Sequence, residues 1–288
     1  MKELPQVRER TKNKSQLINF CFVIAVAKVQ RLHLMSQIFS MSTLKDISTK
    51  APSELDKKQT KDETAKLLKE LNELQNVLYA ESKHSVLVIL QGMDASGKDG
   101  AIKKVLGQLN PQGVVVTSFK TPTEEELKHD FLWRVHQHAP AKGMIGVFNR
   151  SQYEDVLITR VHGWCDDATA EKRFHAINHF EELLSVHNST QIFKFYLHIS
   201  REEQQQRFEE RLDDPSKYYK YNENDFKEAE LWDKYMQMYE DVFENCNTVP
   251  WNIIPADQNW YKEYLIAKTL VLALKDLKMT YPQLNKIG

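Results

Sequence analysis

The nine residues Gly92-Met93-Asp94-Ala95-Ser96-Gly97-Lys98-Asp99-Gly100 follow an apolar run, Val86-Leu87-Val88-Ile89-Leu90, and precede a segment of helical periodicity, Ala101 to Leu109. Strand, glycine turn and helix in that order place the turn at the carboxyl end of a buried strand. The backbone amides of such a turn and the positive end of the helix converge on an anion, and Lys98 adds a point charge where phosphates would lie. The spacing fits G-x-x-x-x-G-K, but Asp99 stands where nucleotide triphosphatases place a Ser or Thr on magnesium. Asp94 and Asp99 put carboxylates beside an anion site, which makes sense when divalent metal sits between them and the phosphates.

Further along, runs rich in Val, Ile and Phe at 86–91, 114–119, 144–149, 192–199 and 251–256 predict strands, with longer periodic segments between them. This alternation with short links predicts an α/β fold: a parallel sheet covered on both faces, with ligands at the carboxyl ends of its strands. From Glu54, Leu67, Leu71, Leu74 and Leu78 recur on one face of a charged helix that ends near Ser82. After the second strand, Thr121-Pro122-Thr123-Glu124 predicts a helix start, with Thr121 as N-cap, Pro122 at the first position and Glu124 closing a capping box. That helix would carry His129, Trp133, Arg134, His136 and His138.

At 288 residues, 41% hydrophobic and 27% charged, the chain has material for one domain, 54–288, and an N-terminal extension, 1–53. A net charge of −1 excludes a generally basic surface of the kind that coats nucleic acid. Cys21, Cys165 and Cys246 are far apart without a C-x-x-C pair, which suits a reducing compartment and a cytoplasmic location. Within the extension, Arg8, Arg10, Lys12 and Lys14 precede an apolar run, Leu17 to Val29, too short to span a bilayer. It reads as a disordered or stray leader before Met41, followed by a polar linker from Ser42 to Ser53.

A second constellation is Val147-Phe148-Asn149-Arg150-Ser151-Gln152-Tyr153-Glu154-Asp155, an apolar strand ending in polar residues. A strand end beside a phosphate loop is where such folds hold the metal's water shell and where an Arg reaches a transferring phosphoryl group. Asn149 is a neutral ligand, so Glu154 or Asp155, about one helical turn on, must supply the charge. A third runs from Arg201 to Lys220: Arg207 and Arg211 share a helix face with Gln204, and the helix ends at Asp213-Asp214-Pro215 before Lys217, Tyr218, Tyr219 and Lys220. Such a segment suits a mobile lid, about 207–230, whose cations close on phosphates.

Together these stretches resemble one family, polyphosphate kinase family 2, which transfers phosphate between inorganic polyphosphate and nucleotides. GMDASGKDG, FNRSQYEDVL, RFEERLDDPSKYYKYNENDF with the later Trp232 and Tyr235, and Trp251-Asn252-Ile253-Ile254-Pro255-Ala256-Asp257 are similar to that family's motifs, in order, over about residues 54–280. Asn149 with Glu154 resembles the family's class III, whose members phosphorylate nucleoside monophosphates and diphosphates.

The resemblance implies a P-loop kinase-like three-layer fold with a five-stranded, mainly parallel sheet and a helical lid. It implies Mg2+, with Mn2+ as a substitute, polyphosphate as donor, AMP, ADP and guanine nucleotides as acceptors, a homodimer or homotetramer, and neither nucleic acid nor membrane as partner. On this reading Asp94, Lys98, Arg150, Glu154, Arg207 and Arg211 are catalytic, and Asp94 and Glu154 hold the metal. Gly92, Ala95, Ser96, Gly97, Asp99, Gly100 and Asn149 bind phosphate or nucleotide, and Lys103, Lys104, Arg134, Lys217 and Lys220 mark the polyphosphate path. An ATP-dependent small-molecule kinase, or a non-catalytic sensor of polyphosphate or nucleotide, would share the loop.

Overall fold

Strand β1 (Ser85–Gln91) is buried along its whole length, as a strand paired on both edges and covered on both faces has to be. It runs parallel to β3 (Ile145–Asn149) on one side and to β4 (Thr190–His198) on the other. With β2 (Val114–Ser118) and β5 (Trp251–Pro255) at the edges, the order is β2-β3-β1-β4-β5 and every pairing is parallel. Leu90 lies opposite both Asn149 and Phe195, so the loops leaving β1 and β3 emerge nearly level with one another, while β4 runs on to His198 beside them. From β1 the chain passes to the edge strand β2, returns inward to β3, and then crosses β1 to β4 and β5; that change of side between β3 and β4 opens a crevice at the strand ends.

The computed structural model describes residues 43–284, so the expected leader, with its apolar run and Cys21, lies outside the described residues. The chain divides into two units, Met1–Ile47 and Ser48–Gly288. The described part of the first is a 3-10 turn, Leu44–Asp46. In the second, part of the expected linker is pinned beside β5: Thr49 Oγ1 donates to Asp257 Oδ2 at 2.8 Å and Ala51 N to Gln258 Oε1 at 2.8 Å.

The charged helix occupies Lys57–Glu81, starting three residues after Glu54 because Asp56 caps it, accepting from Gln59 N at 2.6 Å. Leu71 and Leu78 are fully buried. The helix packs against the last one, Asn259–Asp276, and polar contacts fix the pair, with Tyr264 Oη donating to Glu63 Oε1 at 2.9 Å. No described helix is long and apolar enough to cross a membrane.

Two local expectations are corrected. The capping box forms two residues later than Thr121: Thr123 N donates to Glu126 Oε2 at 2.7 Å and Glu126 N to Thr123 Oγ1 at 3.2 Å. Both registers satisfy the same pattern, and the later one gathers three glutamates at the positive end of the turn. The result is a 3-10 turn, Glu126–Lys128, and a separate short helix, Trp133–His136, instead of one long helix. After the glycine turn, the helix Lys98–Ala101 widens into a π-helical turn, Ile102–Leu106, closed by Gly107 N donating to Ile102 O at 2.9 Å. Such turns recur at functional sites.

Candidate active site

Gly92 and Gly97 adopt φ of +146° and +92°, and each is glycine for a second reason. A Cβ on Gly92 would lie 2.8 Å from Leu197 O, and one on Gly97 would collide with Lys262 Nζ. Inside the turn, Lys98 Nζ donates to Gly92 O at 2.7 Å and Met93 O at 3.1 Å. Burial lowers its pKa, against the pull of the Asp94 charge.

Outside the turn, three side chains hold the next four carbonyls. Gln204 Nε2 donates to Asp94 O at 2.9 Å, Arg207 Nη1 to Ala95 O at 2.8 Å, and Lys262 Nζ to Ser96 O and Gly97 O at 3.2 and 3.3 Å. In a planar peptide the N–H points opposite the C=O. Holding these carbonyls therefore turns the N–H groups of Ala95, Gly97 and Lys98 the other way, which is what an anion-binding turn requires.

Strand β3 is followed by Arg150, a non-glycine residue at φ +62°, a backbone state that costs roughly 1–3 kcal/mol. Arg150 N donates to Leu90 O at 3.1 Å, tying the bend to β1. Its Nη2 donates to Asp94 Oδ1 at 2.5 Å. Burial of Asp94 acts to raise its pKa, but Arg150 and Lys98 together outweigh that and hold it ionised. The charge of Glu154 raises the pKa of Arg150 further. Asn149 Nδ2 donates to Asp99 Oδ1 at 2.7 Å.

A 3-10 turn, Gln152–Val156, carries Glu154, and a fully buried network fixes that turn. Tyr153 Oη and Gln152 Nε2 donate to Glu181 Oε1 at 2.5 and 3.1 Å, and Lys194 Nζ donates to Glu181 Oε2 at 2.9 Å and Tyr153 Oη at 2.8 Å. Gln91, with its amide turned to satisfy both neighbours, donates to Glu154 Oε1 at 3.0 Å.

A cavity of about 180 Å³ lies where these pieces meet. Gly92, Met93, Asp94, Arg150 and Glu154 line it together with Asn222, Asn224, Asp225, Glu228, Tyr235 and Tyr239. Four carboxylates thus face one guanidinium. Arg211 Nη1 donates to Asp225 Oδ2 at 2.7 Å, joining the helix Arg201–Asp213 to Glu223–Glu230. Burial, then the Asp94 charge, raises the pKa of Asp225.

The family model for polyphosphate kinase 2 matches residues 54–282, the stretch that carries the glycine turn, Arg150, Glu154 and the cavity. The chain belongs to that family. Among its polyphosphate kinase 2 relatives, an AMP/ADP-polyphosphate phosphotransferase of Meiothermus ruber is 48% identical over 221 residues, 76% of this chain and 82% of that protein. An ADP-polyphosphate phosphotransferase of Rhodopseudomonas palustris is 42% identical over 227 residues, 74% of this chain and 78% of that one. The crystal structure of polyphosphate kinase 2 from Arthrobacter aurescens TC1 superposes with a TM-score of 0.83 at 43% identity, covering 86% of this chain and 90% of that one.

Within this polyphosphate kinase 2 fold, not every residue expected at the site reaches it. The cavity gathers Gly92, Asp94, Arg150 and Glu154. Arg207 instead spends its guanidinium on the Ala95, Ala256 and Asp257 carbonyls and on Glu203, at 2.8–2.9 Å. Arg134 is buried elsewhere, donating to Lys120 O at 2.8 Å beside Asp155 at 3.6 Å, because the break after Lys128 turns it inward. Asp99, Gly100, Lys103 and Lys104 are exposed beside the loop. Lys217 pairs with Glu210 at 3.0 Å, and Lys220 is exposed over the Tyr219 ring.

Lys262 lies outside every motif that marks the site in the sequence. A signal was present: Lys262, Ile266, Leu270 and Leu274 form one buried stripe at steps of four, and a lysine on an apolar stripe needs a partner.

Proposed function

We propose that the chain moves the terminal phosphoryl group of inorganic polyphosphate to AMP and ADP, with Mg2+ at Asp94 and Glu154. The observation that carries this reading is the cavity, where an anion-binding turn, Arg150 and two acids converge in a chain similar to an AMP/ADP-polyphosphate phosphotransferase. The donor repeats one anionic unit and has no base to read, so cations and metal suffice to hold it. An acceptor phosphate oxygen forms a bond to the terminal phosphorus, the bond from that phosphorus to its bridging oxygen breaks, and polyphosphate one unit shorter leaves.

Lys98 and the loop amides receive the transferring group, and Arg150 neutralises charge that develops on it. Arg211, released from Asp225, grips phosphate as the segment at about 207–230 closes as a lid. Arg207 acts through the loop it holds. Lys103, Lys104, Lys217 and Lys220 lie on surfaces a long polyanion would follow. Glu154 with Asn149 favours the class that accepts both monophosphates and diphosphates.

The residues fit a magnesium ion. Mg2+ takes one or two carboxylates and fills its remaining positions with water and substrate phosphate, and Asp94 and Glu154 face one cavity with Asp94 held ionised. When bound, the ion supplies charge neutralisation on the phosphates. Among the described residues no group of three or more His, Cys, Asp or Glu is arranged to hold a metal.

The test is direct. Purified protein with Mg2+, polyphosphate and either AMP or ADP, without ATP, is expected to yield ADP and ATP; chelation of the metal is expected to stop it. Failure with both acceptors would overturn the proposal. Turnover with ADP alone would overturn the assignment to the class that accepts both.

A further inference from the structure

Lys262 is fully buried, and its ammonium lies in the space a side chain at Gly97 would fill. Its partners are Ser96 O, Gly97 O and Asn259 Oδ1, at 3.2, 3.3 and 2.9 Å. None of these is a carboxylate, so every hydrogen bond its ammonium makes is to a neutral dipole. A lysine in such a place is costly to bury, and the contacts it makes are with the turn that meets phosphate.

We infer that Lys262 is a positioning residue for the phosphate loop: from behind the turn it holds the Ser96 and Gly97 carbonyls, and its charge is complemented by the donor's phosphates. This rests on the proposed function above and names what that function needs from the last helix. Lys98 meets the anion from within the turn, and Lys262 meets the same turn from the opposite side.

The charge has a measurable signature. Burial, then the Arg207 charge, pushes Lys262 down to about 7. Among the groups facing it, Glu263 and Glu203 pull its pKa up and Lys98 pushes it down. A polyanion against the turn favours the ammonium, so above about pH 7 donor binding has to bring a proton with it. Donor capture by the wild type then weakens as pH rises, and an arginine at this position, always charged, would not share that loss.

The experiment compares wild type, Lys262→Met and Lys262→Arg. Lys262→Met is expected to lower kcat/KM for polyphosphate by about 100-fold, the usual cost of a small misplacement near reacting groups, while KM for ADP stays within about twofold. Lys262→Arg is expected to recover most of that loss. Its kcat/KM relative to wild type should rise between about pH 7 and 9, a ratio in which titration of the substrates cancels. An unimpaired Lys262→Met, or a flat ratio across that pH range, would overturn the inference. If Lys262→Met does not fold, the pH ratio decides alone. Wild type run in parallel separates the two readings, since its failure to use polyphosphate would overturn the function itself and not only the assignment of Lys262.

Discussion

Arg150 Nη2 sits 2.5 Å from Asp94 Oδ1, so the guanidinium lining the cavity is engaged by a loop carboxylate before any phosphate arrives. The pair explains why both residues tolerate an unfavourable setting. Arg150 has a left-handed backbone and Asp94 is largely enclosed, yet each keeps the other charged. A phosphate that enters must share Arg150, and a metal on Asp94 would ease that exchange.

Removing either loop charge should therefore be severe. Asp94→Asn and Lys98→Ala are each expected to lower kcat by ~100-fold or more, as loss of one preorganised charge-stabilising group commonly does. Initial rates with polyphosphate and ADP check this, and a wild-type rate in either variant would remove the role assigned to it.

Arg207 and Arg211 are one turn apart but should fail differently. Arg207 is nearly enclosed and makes four hydrogen bonds, so Arg207→Ala should cost about 2–3 kcal/mol of stability along with activity. Arg211 makes two hydrogen bonds, to Lys220 O and Asp225, so Arg211→Ala should cost less, about 1 kcal/mol, while lowering kcat. Urea melts beside rate measurements separate them, and equal stability losses would argue against this division.

Glu181 and Lys194 form an ion pair with no exposed surface on either side chain. Breaking it by Lys194→Met alone should destabilise by about 3–5 kcal/mol, because it strands a buried carboxylate, whereas the double change Glu181→Leu with Lys194→Met should regain most of that. Denaturant midpoints test the stability claim. The double variant should still lose activity, since Tyr153 and Gln152 would no longer be anchored beside Glu154.

Asp155 gives a pH dependence of a less usual sign. Burial raises its carboxyl from the ordinary 3.8 to about 6, against Arg134 and Arg173. Between those values the folded state holds the proton that the unfolded chain has released, so this group's contribution falls as pH rises through about 6. Wild type should lose up to about 3 kcal/mol relative to Asp155→Asn between pH 4 and pH 7. Urea melts of both proteins at the two pH values measure it, and a constant difference would contradict the burial argument.

Much of this arrangement was legible because parallel strands are apolar runs bounded by turns: each predicted strand lies within two residues of the observed one. The glycine turn, Arg150 and Glu154 were legible because their spacing is local. The partners of Arg207, the Ala95, Ala256 and Asp257 carbonyls, were not legible because helical spacing tells which face a residue occupies and not what lies opposite. The Thr121 and Thr123 caps could not be separated by a pattern that both satisfy. Lys262 belongs to a turn 165 residues earlier in the chain, a contact that exists once the sheet has closed.

The seven fully enclosed residues of β1 end where the glycine turn begins, with a neighbour hydrogen-bonded along each edge. Breathing at that point means unzipping the middle of the sheet. On heating, the reactive machinery should survive until the whole domain denatures, and amide exchange in this strand should report global opening and nothing smaller.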